Sequence, residues 1–294
     1  MDSLGGSIFQ GLSRAKTVFQ KQPAAKQSTP MPKLDVNGGN PGDFFIRMAF
    51  DLFANSKDYR KLEALSKSVA LATTELDSAT PTGNSSIVIF QPFQIACRSN
   101  NPELLVIAID CLGKLFSYNY WKPSFDSLHP ENIAIKRSSN PDEEDQDAGG
   151  TVTMIAFVID TICDGFSGES TDEKVQLQII KAFQAALSNT DPSSRLHGAV
   201  LLKAIRTTYN IFLLSKVVNV QIVAQATVTQ MVQNVMGRIP KTAGTSDTQS
   251  KLNREAVVKS SIDTSLLHRE IQDSFKVFRT LCILSMKPLP GSEG

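Results

Sequence analysis

The segment that decides the fold is TDEKVQLQIIKAFQAALS, residues 171–188. Ser170 lies three residues before Glu173, which is the spacing of a capping box at the start of a helix. A helix that is apolar over much of its circumference has to be covered by neighbours on more than one side. The segment therefore predicts a helix inside a stacked helical array. Its apolar residues recur at three- and four-residue steps and form a wide stripe: Val175, Leu177, Ile179, Ile180, Ala182, Phe183, Ala186 and Leu187.

Comparable patterns on both sides of this segment predict further helices of roughly 15–22 residues, joined by short breaks. Polar residues suited to helix capping, or prolines suited to the first turn, precede several of them. Wide apolar faces repeated in this way predict an all-α fold, an armadillo- or HEAT-like helical solenoid. The expected helix starts are Asp43, about Asp58, Asn101-Pro102, Ser194 and Asn219.

The predicted helices carry aligned apolar residues, as four of them illustrate. The helix after Asn101 has core candidates at Leu105, Ile109, Leu112 and Phe116. The other three stripes are Phe44, Met48, Leu52 and Phe53; then Ile222, Ala226, Thr229, Val232, Met236 and Ile239; and finally Leu267, Ile271, Phe275, Phe278 and Cys282.

Residues 87–90, Ile-Val-Ile-Phe, are the one β-branched run that resembles a strand. The run is short, has no evident hairpin partner and is followed by Pro92. We interpret it as an extended lead-in to a short helix that begins near Pro92 and continues through Cys97.

Changes in composition divide the chain into five parts. A helical-repeat domain is expected over residues 43–239, and a final helix over 263–290. The other parts are a candidate short helix at 1–20, a proline- and glycine-rich flexible linker at 21–42, and a polar loop at 240–262.

Composition also narrows the classes of function. A net charge of +1 gives no electrostatic reason to expect a nucleic acid partner. The four cysteines stand singly in apolar stripes without a CxxC spacing, which favours buried free thiols over a zinc site. The N-terminus lacks the apolar core of a signal peptide, and no run approaches the roughly 18 apolar residues of a membrane span.

The sequence offers no constellation that predicts catalysis. The three histidines are far apart, and there is no phosphate-binding GxxxxGK[ST] or GxGxxG loop. Residues 165–169, GFSGE, begin like a nucleophile elbow but lack its last glycine and a preceding strand. The acidic segment PDEEDQDAGG lacks the ligand spacing of a calcium loop. We therefore expect a binding protein without a metal or cofactor.

The best local candidate for a binding surface is the aromatic segment DCLGKLFSYNYW, residues 110–121, which contains the one Trp and two of the four Tyr. Tyr and Trp are enriched in binding hot spots. If Leu112 and Phe116 face the core, Lys114 lies on the opposite side of the helix and is exposed. In the alternative interpretation, Tyr118, Tyr120 and Trp121 seal the helix end against the next layer.

Five segments together resemble a known family: QIAC at 94–97, DCLGKL at 110–115, ICDGFSGESTDEKVQLQIIKA at 162–182, LLKAIRTTYNIFL at 201–213 and ATVTQMVQNVMGRI at 226–239. They are similar to the N-terminal dimerisation and cyclophilin-binding (DCB) domain of large brefeldin-A-inhibited ARF guanine-nucleotide exchange factors of the late Golgi. DSFKVFRTLCILSMKPLP at 273–290 resembles the opening of that family's next region, the homology-upstream (HUS) domain.

The resemblance implies a non-catalytic regulatory domain, because the family's exchange domain lies far downstream. It implies self-association, contact with the HUS domain, and recruitment to trans-Golgi membranes by a GTP-loaded Arf-like small GTPase. The DCLGKL block matches the family's GTPase-facing helix and places Lys114 and Tyr118 on that surface. The full set of expected partner-binding residues is Asp110, Lys114, Ser117, Tyr118, Asn119, Tyr120 and Trp121.

Two other classes of function stay open at this point. The domain can be purely structural, dimerising or docking within its own protein without binding a GTPase. Alternatively, residues 4–21 can bind lipid directly, because Ile8, Leu12, Ala15 and Phe19 share one helical face.

Overall fold

The computed structural model describes residues 41–78, 85–120, 154–189, 195–239 and 268–286. Within these ranges the chain is α-helical apart from two 3-10 turns and short connections, and contains no β-strand, so the predicted all-α fold is confirmed. The expectations for residues 1–20 and 240–262 lie outside the described residues, as do residues 21–40 of the linker expected at 21–42, whereas residues 41 and 42 belong to the first helix. The helices are α1 (Pro41–Asn55), α2 (Glu63–Asp77), α3 (Ser85–Arg98), α4 (Pro102–Ser117), α5 (Met154–Asp164), α6 (Glu173–Ser188), α7 (Gly198–Leu214), α8 (Val218–Gly237) and α9 (Arg269–Ser285).

The helices pack as a layered array that follows the order of the chain. α1 contacts α2 and α4, α2 contacts α3, and α3 contacts α4 and α5. α6 contacts α4, α5, α7 and α8, while α9 packs on α7 and α8. Each helix thus touches mainly its near neighbours in sequence, as expected of a helical solenoid.

α6 occupies the centre of the array, as its wide apolar stripe predicted. Helices from both halves of the chain cover it on several sides. Of the predicted stripe, Leu177 is half-buried and the other seven residues are buried: Val175, Ile179, Ile180, Ala182, Phe183, Ala186 and Leu187.

A glycine allows α4 to lie close to α6. A Cβ atom on Gly113 would be 3.2 Å from the Ala182 Cα atom, which is backbone and cannot rotate away. The glycine thus permits close backbone approach between the two helices.

The predicted capping box at the start of α6 is wrong. The Asp172 side chain caps the helix by accepting a 2.8 Å hydrogen bond from the Lys174 N–H. Ser170 ends the 3-10 turn Gly168–Ser170, and its hydroxyl donates to the Ser167 carbonyl instead. The turn places Ser170 outside the helix, so the nearer carboxylate takes the N-cap role.

Several other helix starts differ from the expected ones. α1 begins at Pro41, so Asp43 lies inside its first turn, and α2 begins at Glu63 after the 3-10 turn Tyr59–Lys61. α8 begins at Val218, and Asn219 does not cap it. Asn101 caps α4 as predicted, accepting from the Glu103 and Leu104 N–H groups. α7 begins at Gly198, and Ser194 lies outside the described residues.

The expected extended run at residues 87–90 is also wrong, because these residues are part of α3 and Pro92 lies inside that helix. An interior proline removes one helical hydrogen bond and costs about 3 kcal/mol. Burial of two phenylalanines offsets this cost. Phe90 lies 4.9 Å from Phe157 between ring centroids, and Phe93 stacks on Phe50 at 5.7 Å.

Three aligned apolar stripes lie on the outer side of their helices, wholly or in part. In α1, Phe44 and Leu52 are exposed while Phe53 is buried. Every residue of the predicted α8 stripe, from Ile222 to Ile239, is exposed or half-buried. The described residues of the predicted α9 stripe, from Ile271 to Cys282, are also exposed or half-buried. Leu267 lies outside the described residues. The side chains that face inward are Val220, Ala224, Thr227, Met231 and Val235 in α8, and Asp273, Ser274, Val277 and Thr280 in α9.

Candidate partner-binding surface

The C-terminal half of α4 presents the predicted surface because its other side is anchored in the core. All four core candidates, Leu105, Ile109, Leu112 and Phe116, are buried. Residues on the opposite side of the helix therefore face outward. Asp110 and Lys114 are half-buried, and Tyr118, which caps the C-terminus of α4, is 43% exposed.

Lys114 is held in place by an anion and an aromatic ring. Its Nζ atom lies 2.7 Å from Asp110 Oδ2 and 5.6 Å from the centre of the Phe45 ring. The Gln178 side chain donates a 3.3 Å hydrogen bond to the other oxygen of Asp110, Oδ1. The ammonium group thus lies at cation–π distance from a ring and still reaches solvent.

Phe45 also connects Lys114 to the aromatic residues of α1 and α4. Its ring centroid is 4.8 Å from that of Tyr118 and 5.6 Å from that of Phe44 in an edge-on arrangement. We refer to Phe44, Phe45, Asp110, Lys114 and Tyr118 as the Lys114 surface. Sequence reasoning missed the two phenylalanines. The one available signal was the Phe-Phe pair near the start of α1, which does not by itself indicate proximity to α4.

Tyr120, by contrast, is buried. The end of α4 forms a Schellman motif: the Tyr120 N–H donates to the Leu115 carbonyl and the Asn119 N–H to the Phe116 carbonyl. Asn119 has the left-handed φ of 51° that this motif requires. The chain therefore turns back, and the Tyr120 hydroxyl donates a 3.1 Å hydrogen bond to Asp43.

The Tyr120 side chain packs between the start of α1 and the end of α4. A Cβ atom on Gly42 would lie 1.9 Å from the Tyr120 ring, so the ring packs directly on the Gly42 backbone. Burial, and then the neighbouring Asp43 carboxylate, raise the pKa of the Tyr120 hydroxyl. Of the remaining expected residues, Ser117 and Asn119 are exposed, and Trp121 lies outside the described residues. The structure therefore brings Asp110, Lys114 and Tyr118 together at the surface and places Tyr120 inside.

The described residues show no metal-binding or membrane-spanning feature. Among them, no group of three or more His, Cys, Asp or Glu side chains is placed to hold a metal ion. No helix in the same ranges has the length and apolarity to cross a bilayer. Cys97, Cys111 and Cys163 are buried free thiols, and burial raises the pKa of Cys97 and of Cys163 to about 12. Cys282 is exposed.

The fold defines an all-α helical array, and comparison with known sequences gives its family. Residues 52–242 match the DCB family, described as the Mon2/Sec7/BIG1-like dimerisation and cyclophilin-binding domain. Because the match covers more than half of the chain, the chain belongs to the DCB domain family, as the sequence resemblance predicted.

The similar proteins are exchange factors. The chain is 33% identical over 246 residues to the ADP-ribosylation factor guanine nucleotide-exchange factor SEC7 of Saccharomyces cerevisiae, covering 79% of this chain and 12% of the relative. It is 33% identical over 243 residues to sec71 of Schizosaccharomyces pombe, covering 69% and 12%. Against the rat brefeldin A-inhibited guanine nucleotide-exchange protein 1, it is 34% identical over 182 residues, covering 62% and 9%. The chain thus spans about a tenth of the length of these relatives.

Proposed function

We propose that this chain is the non-catalytic regulatory N-terminal domain of an ARF guanine-nucleotide exchange factor. It binds a GTP-loaded Arf-like small GTPase through the Lys114 surface, and this contact recruits the exchange factor from the cytoplasm to trans-Golgi membranes. The observation that supports the proposal is the partly exposed Phe45–Lys114–Tyr118 cluster, which the packing of α1 on α4 brings together. Family membership supports its regulatory character.

The residues of this surface suit the recognition of a switch region. Small GTPases order their switch segments when the γ-phosphate is bound and release them after hydrolysis. A fixed surface that fits one arrangement binds that state preferentially and so couples recruitment to the nucleotide. Tyr118 and Phe44 supply apolar contact area, while Lys114 supplies a cation for a carboxylate or backbone carbonyl of the partner.

The arrangement of Lys114 supports binding in a further way. Asp110 and Phe45 restrict its position before any partner arrives. A side chain fixed in advance loses less conformational entropy when the complex forms. We expect a dissociation constant of order micromolar, which suits reversible recruitment.

A pull-down tests the nucleotide dependence. The 294-residue chain is immobilised and offered Arf and Arf-like GTPases, each loaded with a GTP analogue or with GDP. We expect retention of at least one GTPase in its GTP form alone. If none is retained in either state, recruitment by a GTPase is contradicted, and the purely structural role becomes the better account.

Contact with the downstream HUS domain is the second part of the proposal, and α9 supports it. α9 presents an outward apolar face that includes Phe275, Ile283, Met286 and Phe278, the last of which is 60% exposed. An exposed apolar patch of this kind marks an interaction site. We propose the organisation expected from the sequence, a helical-repeat domain at 43–239 and a final helix at 263–290 that continues into the HUS region.

A further inference from the structure

α8 presents a surface unlike that of the other outer helices. Its twenty residues, VNVQIVAQATVTQMVQNVMG, include no charged side chain. Its inner side packs on α6, α7 and α9. Its outer side exposes apolar groups, with Val218 64% and Ile222 50% exposed. The helix is thus apolar on its inner side and uncharged on its outer side.

A helix face that stays in water usually carries charged residues. The line of α8 that points directly away from the domain instead contains Ile222, Ala226, Thr229 and Gln233. The Thr229 hydroxyl is satisfied internally, since it donates to the Gln225 carbonyl at 3.0 Å. Depletion of charge is the compositional signature of an interface core. This outer side, which we call the α8 face, therefore has the character of a covered surface.

Three helices, α1, α8 and α9, have apolar outer faces. The charges on these faces indicate which of them suits contact with a second copy of the chain. A two-fold contact places the same surface patch on both sides, so a net charge within the patch meets the same charge. The α9 face includes the exposed cation Arg279, and the outer side of α1 includes the exposed anion Asp51. The α8 face has no charge to repel its own copy.

The spacing along α8 is compatible with an antiparallel pair. When two copies cross midway between Ala226 and Thr229, each Ala226 meets the partner's Thr229, and each Ile222 meets the partner's Gln233. The small residues at the crossing point allow two helix axes to approach within about 8–10 Å. The larger residues lie towards the ends of the contact, where each Ile222 packs on the partner's Gln233 and the Gln233 amide reaches the polar rim.

We infer that the α8 face is the surface through which two copies of this chain associate. The inference rests on the self-association that the family description names and that the sequence resemblance implies. It is separate from the Lys114 surface, which is built by α4 and α1. GTPase binding is therefore expected to survive loss of the pair.

Sedimentation equilibrium over a range of concentrations tests this inference on the complete chain. Ala226→Arg replaces a small residue at the centre of the pair with a bulky cation, which faces the partner's Thr229 and lies within one helical turn of the same cation of the other copy. We expect the wild type to associate and this variant to dissociate with a constant about a hundred-fold higher. Ile222→Glu, at a more exposed position, is expected to act in the same direction without disturbing the fold.

Two control variants locate the effect. Leu71→Arg adds the same charge on α2, at an exposed apolar residue, and should associate like the wild type. Phe278→Arg does so on α9 and should also leave association unchanged. Circular dichroism melts confirm that each variant is folded. If both α8 variants associate like the wild type, the α8 face is not the interface, although self-association itself stands. The same conclusion follows if Phe278→Arg alone loses association. A monomeric wild type overturns both the inference and self-association, and leaves the proposed GTPase contact untouched.

Discussion

The buried carboxylate of Asp273 shows how a single residue can join two helices. Its Oδ2 atom lies 2.6 Å from His197 Nδ1, and its Oδ1 atom accepts a 2.8 Å hydrogen bond from the Gly198 N–H at the start of α7. Burial acts to raise the pKa of Asp273, but the hydrogen bonds from His197 and Gly198 together outweigh it and hold the pKa below its ordinary value. The carboxylate thus links α9 to the positive end of α7.

This geometry predicts how stability depends on pH. A carboxyl group whose pKa is lower in the folded state stabilises the fold above its unfolded-state pKa, and the contribution is lost as pH falls through the folded value. The ordinary value is 3.8, so we expect the loss below about pH 4. Asp273→Asn should lower the free energy of unfolding by about 2–4 kcal/mol at neutral pH. It should also make the free energy of unfolding less dependent on pH in the acid range.

Urea unfolding between pH 3 and pH 7 measures both effects. Asp77→Asn is the matched control, because Asp77 is exposed and pairs with Arg47 at the surface. The control should lose less than about 1 kcal/mol. An Asp273→Asn variant that is as stable as this control at every pH would show that the buried contact does not hold α9.

At the scale of the elements, the sequence predicts where the helices lie more reliably than which side of each helix is buried. The α4 stripe was interpreted correctly because its outer side is charged, so one orientation alone buries apolar surface. α8 has apolar residues on both its inner and its outer side, and α9 has apolar residues outside and mainly polar residues inside. Hydrogen bonds across layers contribute to which side of α9 is buried, such as the 2.8 Å bond from the Gly198 N–H to Asp273. No spacing within one helix reveals such a contact.

The candidate surface was likewise predictable only where its residues lie in one helical segment. Asp110, Lys114 and Tyr118 were found because they follow one helical stretch of sequence. Phe45 comes from another helix and is brought to Tyr118 by the packing of α1 on α4. Tyr120 was grouped with Tyr118 because they are two residues apart, but the left-handed Asn119 between them reverses the chain and sends Tyr120 inside.

The orientation of α9 can be tested with two neighbouring residues. Val277 is fully buried, whereas Phe278 is largely exposed. Val277→Ala removes two methyl groups from the core and should cost about 2 kcal/mol of unfolding free energy. Phe278→Ala should change it by less than about 0.5 kcal/mol, although it removes the larger side chain. Chemical denaturation of the two variants under one set of conditions gives the comparison; the reverse order would mean that α9 faces the other way.

For the whole molecule, separate faces of one helical array are proposed for separate tasks. The Lys114 surface is proposed for a GTPase, the α9 face for the HUS domain and the α8 face for a second copy. Such a division suits a solenoid, whose helices each contribute to the core and to the outer surface. The array itself was predictable from the apolar periodicity, and the family from the DCB segments. The division of the surface depends on side-chain exposure, which one sequence does not determine.

The most direct measurement is a calorimetric titration of the complete chain with the GTPase that the pull-down retains, loaded with GTP analogue. We predict a dissociation constant of order micromolar for the wild type, and binding about tenfold weaker or worse for Lys114→Ala, Tyr118→Ala and Phe45→Ala. Leu71→Ala, at an exposed residue of α2, should bind like the wild type. If the three variants bind as tightly as the wild type while remaining folded, the Lys114 surface is not where the GTPase binds.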